Sequence, residues 1–391
     1  MRGLAPRRLA LGGLLDRYVG QIFWAAYALT ALVVLGLYLV VDLATNLEEY
    51  VRPDASGARP PSTEILRYYA LHSPFLYLQV APFVTLIAGL FTVSRLQRSR
   101  EVTAALGAGI SARRLLLPLL AAAVLLALLM GLVREYATTA LGPERDGLRA
   151  RLTAKAPVLV LENVRVKDSA GQSIQLARYQ PGSSTGAEDR PPRFEALDAV
   201  RLVEGRWFRY QAAAGTWQES AGEGHWQLAD GWREEVEVFD EGAVLGGKQR
   251  VPLVRLEGGS GAGLAFSPPD VLAAWKAREN PLELSYGEAL ALSRRDPDNL
   301  QYRTLLAYLV AFPVANLVLL LVGLPFLLQY ERGRGAQGLV AGFLLCVFYF
   351  ATDFVTLTLG MEGQIGPYVA GGLPPVLFGS LGVVLFGSAR T

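Results

Sequence analysis

The sequence contains a single cysteine, Cys346, and only two histidines, His72 and His225. One thiol cannot close an internal disulfide, and so few soft or imidazole ligands exclude a cysteine cluster or a histidine-based zinc site. Lysine is nearly as scarce, appearing only at Lys155, Lys167, Lys248 and Lys276, so arginine carries almost all the positive charge. The formal net charge of +2 is too small to point to a nucleic-acid partner. Catalytic signatures are missing too: there is no serine-nucleophile elbow and no dinucleotide fingerprint. One segment, Gly242 to Gln249, has the glycine and lysine spacing of a phosphate-binding loop. It lacks a Ser or Thr for magnesium and runs into Val251-Pro252-Leu253 rather than a helix, so it reads as a hairpin turn. His225 beside Trp226 reads as a packed or surface histidine, and Glu234 and Glu235, adjacent on a strand, point to opposite faces. No catalytic residue, metal or cofactor is expected.

What the chain has instead is apolar length. Hydrophobic residues make up 52% of the 391 and charged residues 18%, a mixture that predicts several membrane spans plus a polar domain. The run from Tyr18 to Ala44 follows Arg2, Arg7, Arg8 and Arg17 and precedes no small-residue cleavage site, so it reads as a retained first span with its N-terminus inside. Asn46 to Pro61 reads as an exterior loop. The second span, Tyr68 to Ser94, is interrupted by His72, Pro74, Gln79 and Pro82, which implies packing against protein. The third is Leu115 to Val133. Three more follow at Leu305 to Leu328, Gly338 to Leu359 and Pro367 to Phe386, with Glu331 to Arg334 inside and Arg390 at the inner end. Between the two sets, short alternating runs such as VLVLENVRV at Val158 and WREEVEVFD at Trp232 are separated by turn clusters including Ser183-Ser184 and Ala221-Gly222. The expected fold is a helical membrane protein with six transmembrane helices and an inserted exterior all-β domain of sandwich or jelly-roll type. Its expected parts are residues 1–138 with three spans, 139–300 as the β domain ending in two helices, and 301–391 with the other three spans.

Two constellations invite a functional reading. Arg95, Arg98, Arg100, Arg113 and Arg114 crowd one short loop and mark it as cytoplasmic. Between them Val102, Ala105, Leu106 and Ile110 form one helical stripe, with Ser99 a candidate cap and Glu101 in the first turn. Ala104, Gly107, Ala108 and Gly109 keep the remaining surface small, so another protein's backbone could approach a helix over 99–112. The second constellation is polar residues at membrane depth. Asp42, Arg134, Glu135 and Asp353 all fall at the exterior end of their spans. An acid there costs roughly 2.5–3.5 kcal/mol on insertion scales and so faces protein or a wet cavity. Asp353 is the stronger candidate, whereas Asp42 and Glu135 equally suit the interface. Arg134, Arg145, Arg149 and Arg151 could meet lipid phosphates or pair with Glu144 and Asp146.

Several of these stretches also carry a family resemblance. They are Leu15-Asp16-Arg17-Tyr18-Val19-Gly20, Ser99-Arg100-Glu101-Val102 through Ala108-Gly109-Ile110-Ser111, Trp226 to Gly231, Pro281-Leu282-Glu283-Leu284-Ser285, Tyr302-Arg303, and Phe348 to Asp353. In this order, around an exterior sheet domain, the chain resembles the lipopolysaccharide-export permeases of the LptF/LptG type. Asp42 and Asp353 lean towards the LptG-like member. The resemblance implies a bacterial inner-membrane subunit with a periplasmic jelly roll. It would pair with a second permease of the family above a dimer of a separate cytoplasmic ABC ATPase, and pass lipopolysaccharide to a periplasmic jelly-roll bridge protein. The segment at Arg100, Glu101, Val102, Ala105, Leu106, Gly107 and Gly109 would be the coupling helix, and spans one and five lateral gates. Asp42, Arg134, Glu135, Arg149 and Asp353 would be the lipid-binding set. The competing reading is an ATPase-coupled signalling or mechanotransmitting protein that moves no lipid; its kind inserts the exterior domain after the first span. A lipid-modifying enzyme lacks a site.

Overall fold

The computed structural model describes residues 13–51, 61–152, 160–167, 172–182, 190–203, 205–220, 223–238, 244–245, 250–257, 266–329 and 335–388. Arg2, Arg7, Arg8, the turns at Ser183-Ser184 and Ala221-Gly222, Glu331 to Arg334, Arg390 and most of the Gly242 to Gln249 segment lie outside these residues. The chain divides into two compact units. One comprises Met1–Thr45, Ser73–Glu135 and Ala307–Thr391, the other Asn46–His72 and Tyr136–Leu306.

Among the described residues, six helical stretches are long and apolar enough to cross a membrane: Leu14–Glu48, Ser62–Arg98, Ala112–Arg149, Leu300–Pro325, Val340–Met361 and Pro367–Gly387. They belong to α1 (Leu14–Val51), α2 (Ser62–Arg98), α4 (Ala112–Tyr136) with a π-helical turn (Ala137–Leu141) and α5 (Gly142–Leu152), α8 (Leu300–Ala311) with α9 (Ala315–Gln329), α10 (Gly335–Met361) and α11 (Pro367–Ser388). The short α3 (Glu101–Gly107) joins α2 to α4. Two expectations shift. The stretch expected to be a loop from Asn46 is helical as far as Val51, because Leu47, Glu48 and their neighbours are good helix formers without a breaker before Pro53. The fourth span is broken by a 3₁₀ turn, Phe312–Val314, where Pro313 supplies no amide hydrogen.

In the first unit the core draws on α1, α2, α4, α9, α10 and α11. Glycines face leucines reciprocally: Gly89 of α2 against Leu320, Gly323 of α9 against Leu86, and Gly342 of α10 against Leu90. Such pairs let backbones close on one another where water cannot drive association. Asn316 and Thr85 are buried there and bonded to each other. Asn316 Nδ2 donates to the Pro313 carbonyl at 3.0 Å, mending the break between α8 and α9, and also lies 3.4 Å from Met130 Sδ. Its Oδ1 is 2.7 Å from Thr85 Oγ1, which lies 2.8 Å from the Ala81 carbonyl. The single hydroxyl proton of Thr85 serves these two acceptors.

The second unit is built on an antiparallel sheet. Strands β1 (Leu161–Lys167), β2 (Ser173–Gln180), β3 (Arg193–Val203), β4 (Arg206–Ser220) and β5 (Glu223–Val238) pair in chain order. β5 also takes the two-residue β6 (Val244–Leu245) and β7 (Arg250–Glu257). The connectivity is a meander. What lets one meander enclose a core is a crease. Asn163, Ala196 and Asp230 have positive φ, at 55°, 51° and 50°. Following the register, Asn163 lies opposite Ala177, Ala177 opposite Ala196, Ala196 opposite Ala213 and Ala213 opposite Asp230. One row of mostly small residues thus crosses five strands. The inward alternation changes phase there: Leu161, Tyr179 and Phe194 are buried on one side of it, and Val164, Leu176 and Leu197 on the other. A positive φ bends a strand as a bulge does.

Trp226, Tyr179, Phe194 and Phe266 fill the sheet's core, and Trp226 Nε1 donates to the Phe266 carbonyl at 2.9 Å. Gly231 is obligatory, since a Cβ there would strike the Leu253 carbonyl oxygen. The sheet's outer face carries an Asp198–Arg209 pair, bonded at 3.0 and 2.5 Å, with Gln211 donating to the same carboxylate at 3.1 Å. Burial pulls the Asp198 carboxyl upward, but the hydrogen bonds from Arg209 and Gln211 and the arginine's charge bring it below the usual carboxylate range. Two helices close the unit, α6 (Pro268–Glu279) and α7 (Tyr286–Arg295), and α5 (Gly142–Leu152) belongs to it as well. The Pro281-to-Ser285 stretch makes three joints in five residues. Pro281 opens a 3₁₀ turn, Glu283 grips Arg145 at 3.1 and 2.5 Å, and Ser285 caps α7 through Glu288.

Candidate functional site

The loop of arginines folds into a compact projection. Ser99 does not cap α3. Its hydroxyl and amide both bond the Arg95 carbonyl at 3.0 Å, so it closes α2, and the chain then turns through Arg100 at φ 60°. The helix expected over 99–112 is only seven residues, Glu101–Gly107. Gly109 stops it. Its φ is +78°, its amide bonds Leu106, and the Ile110 amide bonds Ala105 at 2.9 Å, which together form a Schellman closure. Ser111 then opens α4 by accepting from the Arg114 amide.

The expected apolar stripe divides accordingly. Val102 is buried, Ala105 and Ile110 are half-buried, and Leu106 turns outward with 42% of its surface exposed. Arg100, Ala104, Gly107, Ala108 and Gly109 are exposed beside it, and Glu101 is half-buried. The projection therefore presents one leucine on a shelf of small residues. Polar ties hold it from beneath. Tyr18 of α1 donates to Glu101 Oε1 at 3.1 Å. Asp16 takes both guanidinium nitrogens of Arg114, the second at 2.7 Å, and accepts from the Gly13 amide at 3.1 Å. Arg113 donates to the Gly387 carbonyl at the end of α11. Sequence reasoning placed Asp16 and Tyr18 in a motif but gave them no role; neither partner is close in the chain.

At the other end of the membrane unit, Tyr308 of α8 donates to Asp353 Oδ2 at 3.0 Å. Arg134 and Tyr349 belong to the same unit, on α4 and α10. All of these side chains are buried, Arg134 at 2% exposure and Asp353 at 6%. Of the expected polar set, Asp353 is bonded to a tyrosine that the sequence did not single out, and Arg134 is buried in the same unit. Glu135 is half-buried next to Arg134, and Asp42 is half-buried on α1. Arg149 is exposed on α5, in the other unit. There the remaining acids are already engaged: Glu144 meets Arg67 at 2.5 Å, and Asp146 shares Arg145 with Glu283. His225 is buried in the sheet. Among the described residues no group of three or more His, Cys, Asp or Glu is placed to hold a metal ion.

The arrangement can hold charge in a fixed place and present a grip. No curated protein matches the chain. A family model described as lipopolysaccharide export system permease LptF/LptG matches residues 17–388, from the first turns of α1 to the last residue of α11. With nearly its whole length matched, this chain belongs to the LptF/LptG family of lipopolysaccharide export permeases.

Proposed function

We propose that this permease draws lipopolysaccharide from the outer leaflet of a bacterial inner membrane and hands it to a periplasmic jelly-roll bridge protein, using ATP hydrolysed by a separate ABC ATPase dimer in the cytoplasm. A second permease of the same family completes the pathway. The parts are residues 1–138 and 301–391 in the membrane and 139–300 in the periplasm, an orientation supported by the arginines gathered at one end of the spans. Energy input is required. Exposing acyl chains to water costs about 0.8 kcal/mol per methylene, so one twelve-carbon chain costs roughly 9–10 kcal/mol.

The observation that carries the reading is the outward surface of α3, where Leu106 stands exposed on small residues while Val102 anchors the helix inward. In this reading the ATPase grips Arg100, Glu101, Ala105, Leu106, Gly107 and Gly109. Arg149, exposed on α5, is the member of the lipid-binding set best placed for an anionic headgroup. Arg134 and Asp353 act from below the surface, Asp353 through its bond with Tyr308, and Asp42 and Glu135 lie nearer the surface. Leu106→Asp is the test, because an exposed site tolerates the change. The variant should insert normally and lose the co-purifying ATPase, and full ATPase retention and stimulation would refute the assignment.

A further inference from the structure

The base of α1 is tied to both sides of α3. Helix α1 is buried along a stretch near its start and again at Tyr50, which packs against Tyr68 and Tyr69, with an exposed stretch between. Asp16, Val19, Ile22, Phe23, Tyr27 and Thr30 are buried, whereas Leu32, Val33, Leu37, Val40 and Val41 are all more than half exposed. Near its start, two polar ties reach both flanks of α3. Tyr18 bonds Glu101, its first residue, and Asp16 chelates Arg114, two residues into the helix that follows. Tyr18 and Asp16 are two residues apart, so a rigid first turn of α1 straddles the projection.

We infer that Asp16 and Tyr18 are positioning residues that convert displacement of α3 into tilt of α1. The inference rests on the proposed docking of an ATPase on α3 and adds the route by which that docking is felt in the membrane. The lever is long. From Tyr18 to Val41 the helix rises about 35 Å at 1.5 Å per residue. A tilt of about 5° at the base therefore moves the far end by about 3 Å, enough to open or close a seam between packed helices. The bidentate Asp16–Arg114 pair carries direction as well as force, since two parallel bonds resist rotation where one does not. Tyr18 adds a second point and so prevents pivoting about the first. The Asp16–Gly13 bond stiffens the turn that receives the load. No proton or covalent bond changes hands; the device is mechanical.

The experiment uses the full chain co-expressed with its second permease and the ATPase that co-purifies with them, in liposomes, carrying a spin label on Leu32→Cys. Leu32 is 71% exposed, and the one native cysteine, Cys346, is buried. In the otherwise unaltered chain, ATP should change the label's environment. Tyr18→Phe and Asp16→Asn should keep the ATPase bound and reduce that change about fivefold each, the scale of one net hydrogen bond. The exchange Asp16→Arg with Arg114→Asp should restore at least half of it, which a merely structural role would not predict. If Asp16→Asn fails to accumulate, Tyr18→Phe, which removes one hydroxyl, decides. Variants that respond fully with ATPase bound, or variants that lose the ATPase, overturn the linkage. An unaltered chain that holds no ATPase overturns the proposed function as well, so the two failures are told apart.

Discussion

Gly371 and Gly372 are neighbours on α11, and the structure gives them opposite prospects. A Cβ built on Gly371 would lie 2.7 Å from the carbonyl carbon of Ala307 and 2.7 Å from the amide nitrogen of Tyr308. Both are backbone atoms of α8 and cannot rotate away. Ordinary contact needs about 3.5–4.0 Å, so the two helices must part by roughly 1 Å. That movement forfeits a quarter to a half of the dispersion energy of every pair across the seam, and overpacking of this kind costs about 1–3 kcal/mol. It also displaces Tyr308, whose hydroxyl holds Asp353. A Cβ on Gly372 would meet nothing within 4 Å. Both substitutions gain the same helix propensity, up to about 1 kcal/mol, so the difference between them isolates the seam. Gly371→Ala should therefore unfold in detergent at a lower denaturant midpoint than Gly372→Ala, by the equivalent of about 1–3 kcal/mol. Equal midpoints would refute the close approach of α8 and α11.

Two other expectations follow from buried and surface polar groups. Asn316→Leu leaves the Pro313 carbonyl without its side-chain donor and should cost about 1–3 kcal/mol in the same unfolding assay; Thr85→Val leaves the buried Asn316 carbonyl oxygen without its hydroxyl donor and should cost about as much, and an unchanged midpoint in either variant would contradict the pairing. On the sheet, the Asp198 carboxyl sits below its usual range, so its contribution is fully present above pH 4 and is lost as pH falls through the folded value. Because the pair is 42% and 32% exposed, that contribution is at most about 1 kcal/mol, and Asp198→Asn should flatten the acid limb of the stability profile, read by tryptophan fluorescence.

The spans were legible because length and hydropathy are local properties. Their interruptions were less so. Pro313 was visible in the sequence, but that it splits α8 from α9 with Asn316 as the mend depends on a side chain three residues later turning back. Ser99 illustrates the opposite error. A serine before an apolar run suits an N-cap, yet it equally suits the last turn of the preceding helix, and the positive φ of Arg100 decides for the latter. Gly109 marked the helix end in plain view, since a small-residue surface and a Schellman stop look alike in sequence. The crease was also written there as doubled outward positions, Glu162-Asn163 and Ala177-Arg178, but only the register shows that these doublings form one row. Asp16 with Arg114 and Tyr308 with Asp353 lie 98 and 45 residues apart, and nothing local announces either pairing.

The bond between Thr85 and Asn316 spans 231 residues. A ribosome adding about 5–20 residues per second takes about 10–50 seconds to cover that distance. Throughout that interval α2 is already made, while the helices that will cover Gly89, Leu86 and Leu90 do not yet exist. An entire sheet is synthesised in between. The nascent chain must therefore keep a half-built bundle waiting in the bilayer, its helix–helix seams filled by lipid or by the insertion machinery. Biogenesis, rather than the finished fold, is where this interrupted architecture is most exposed to proteolysis and mispairing.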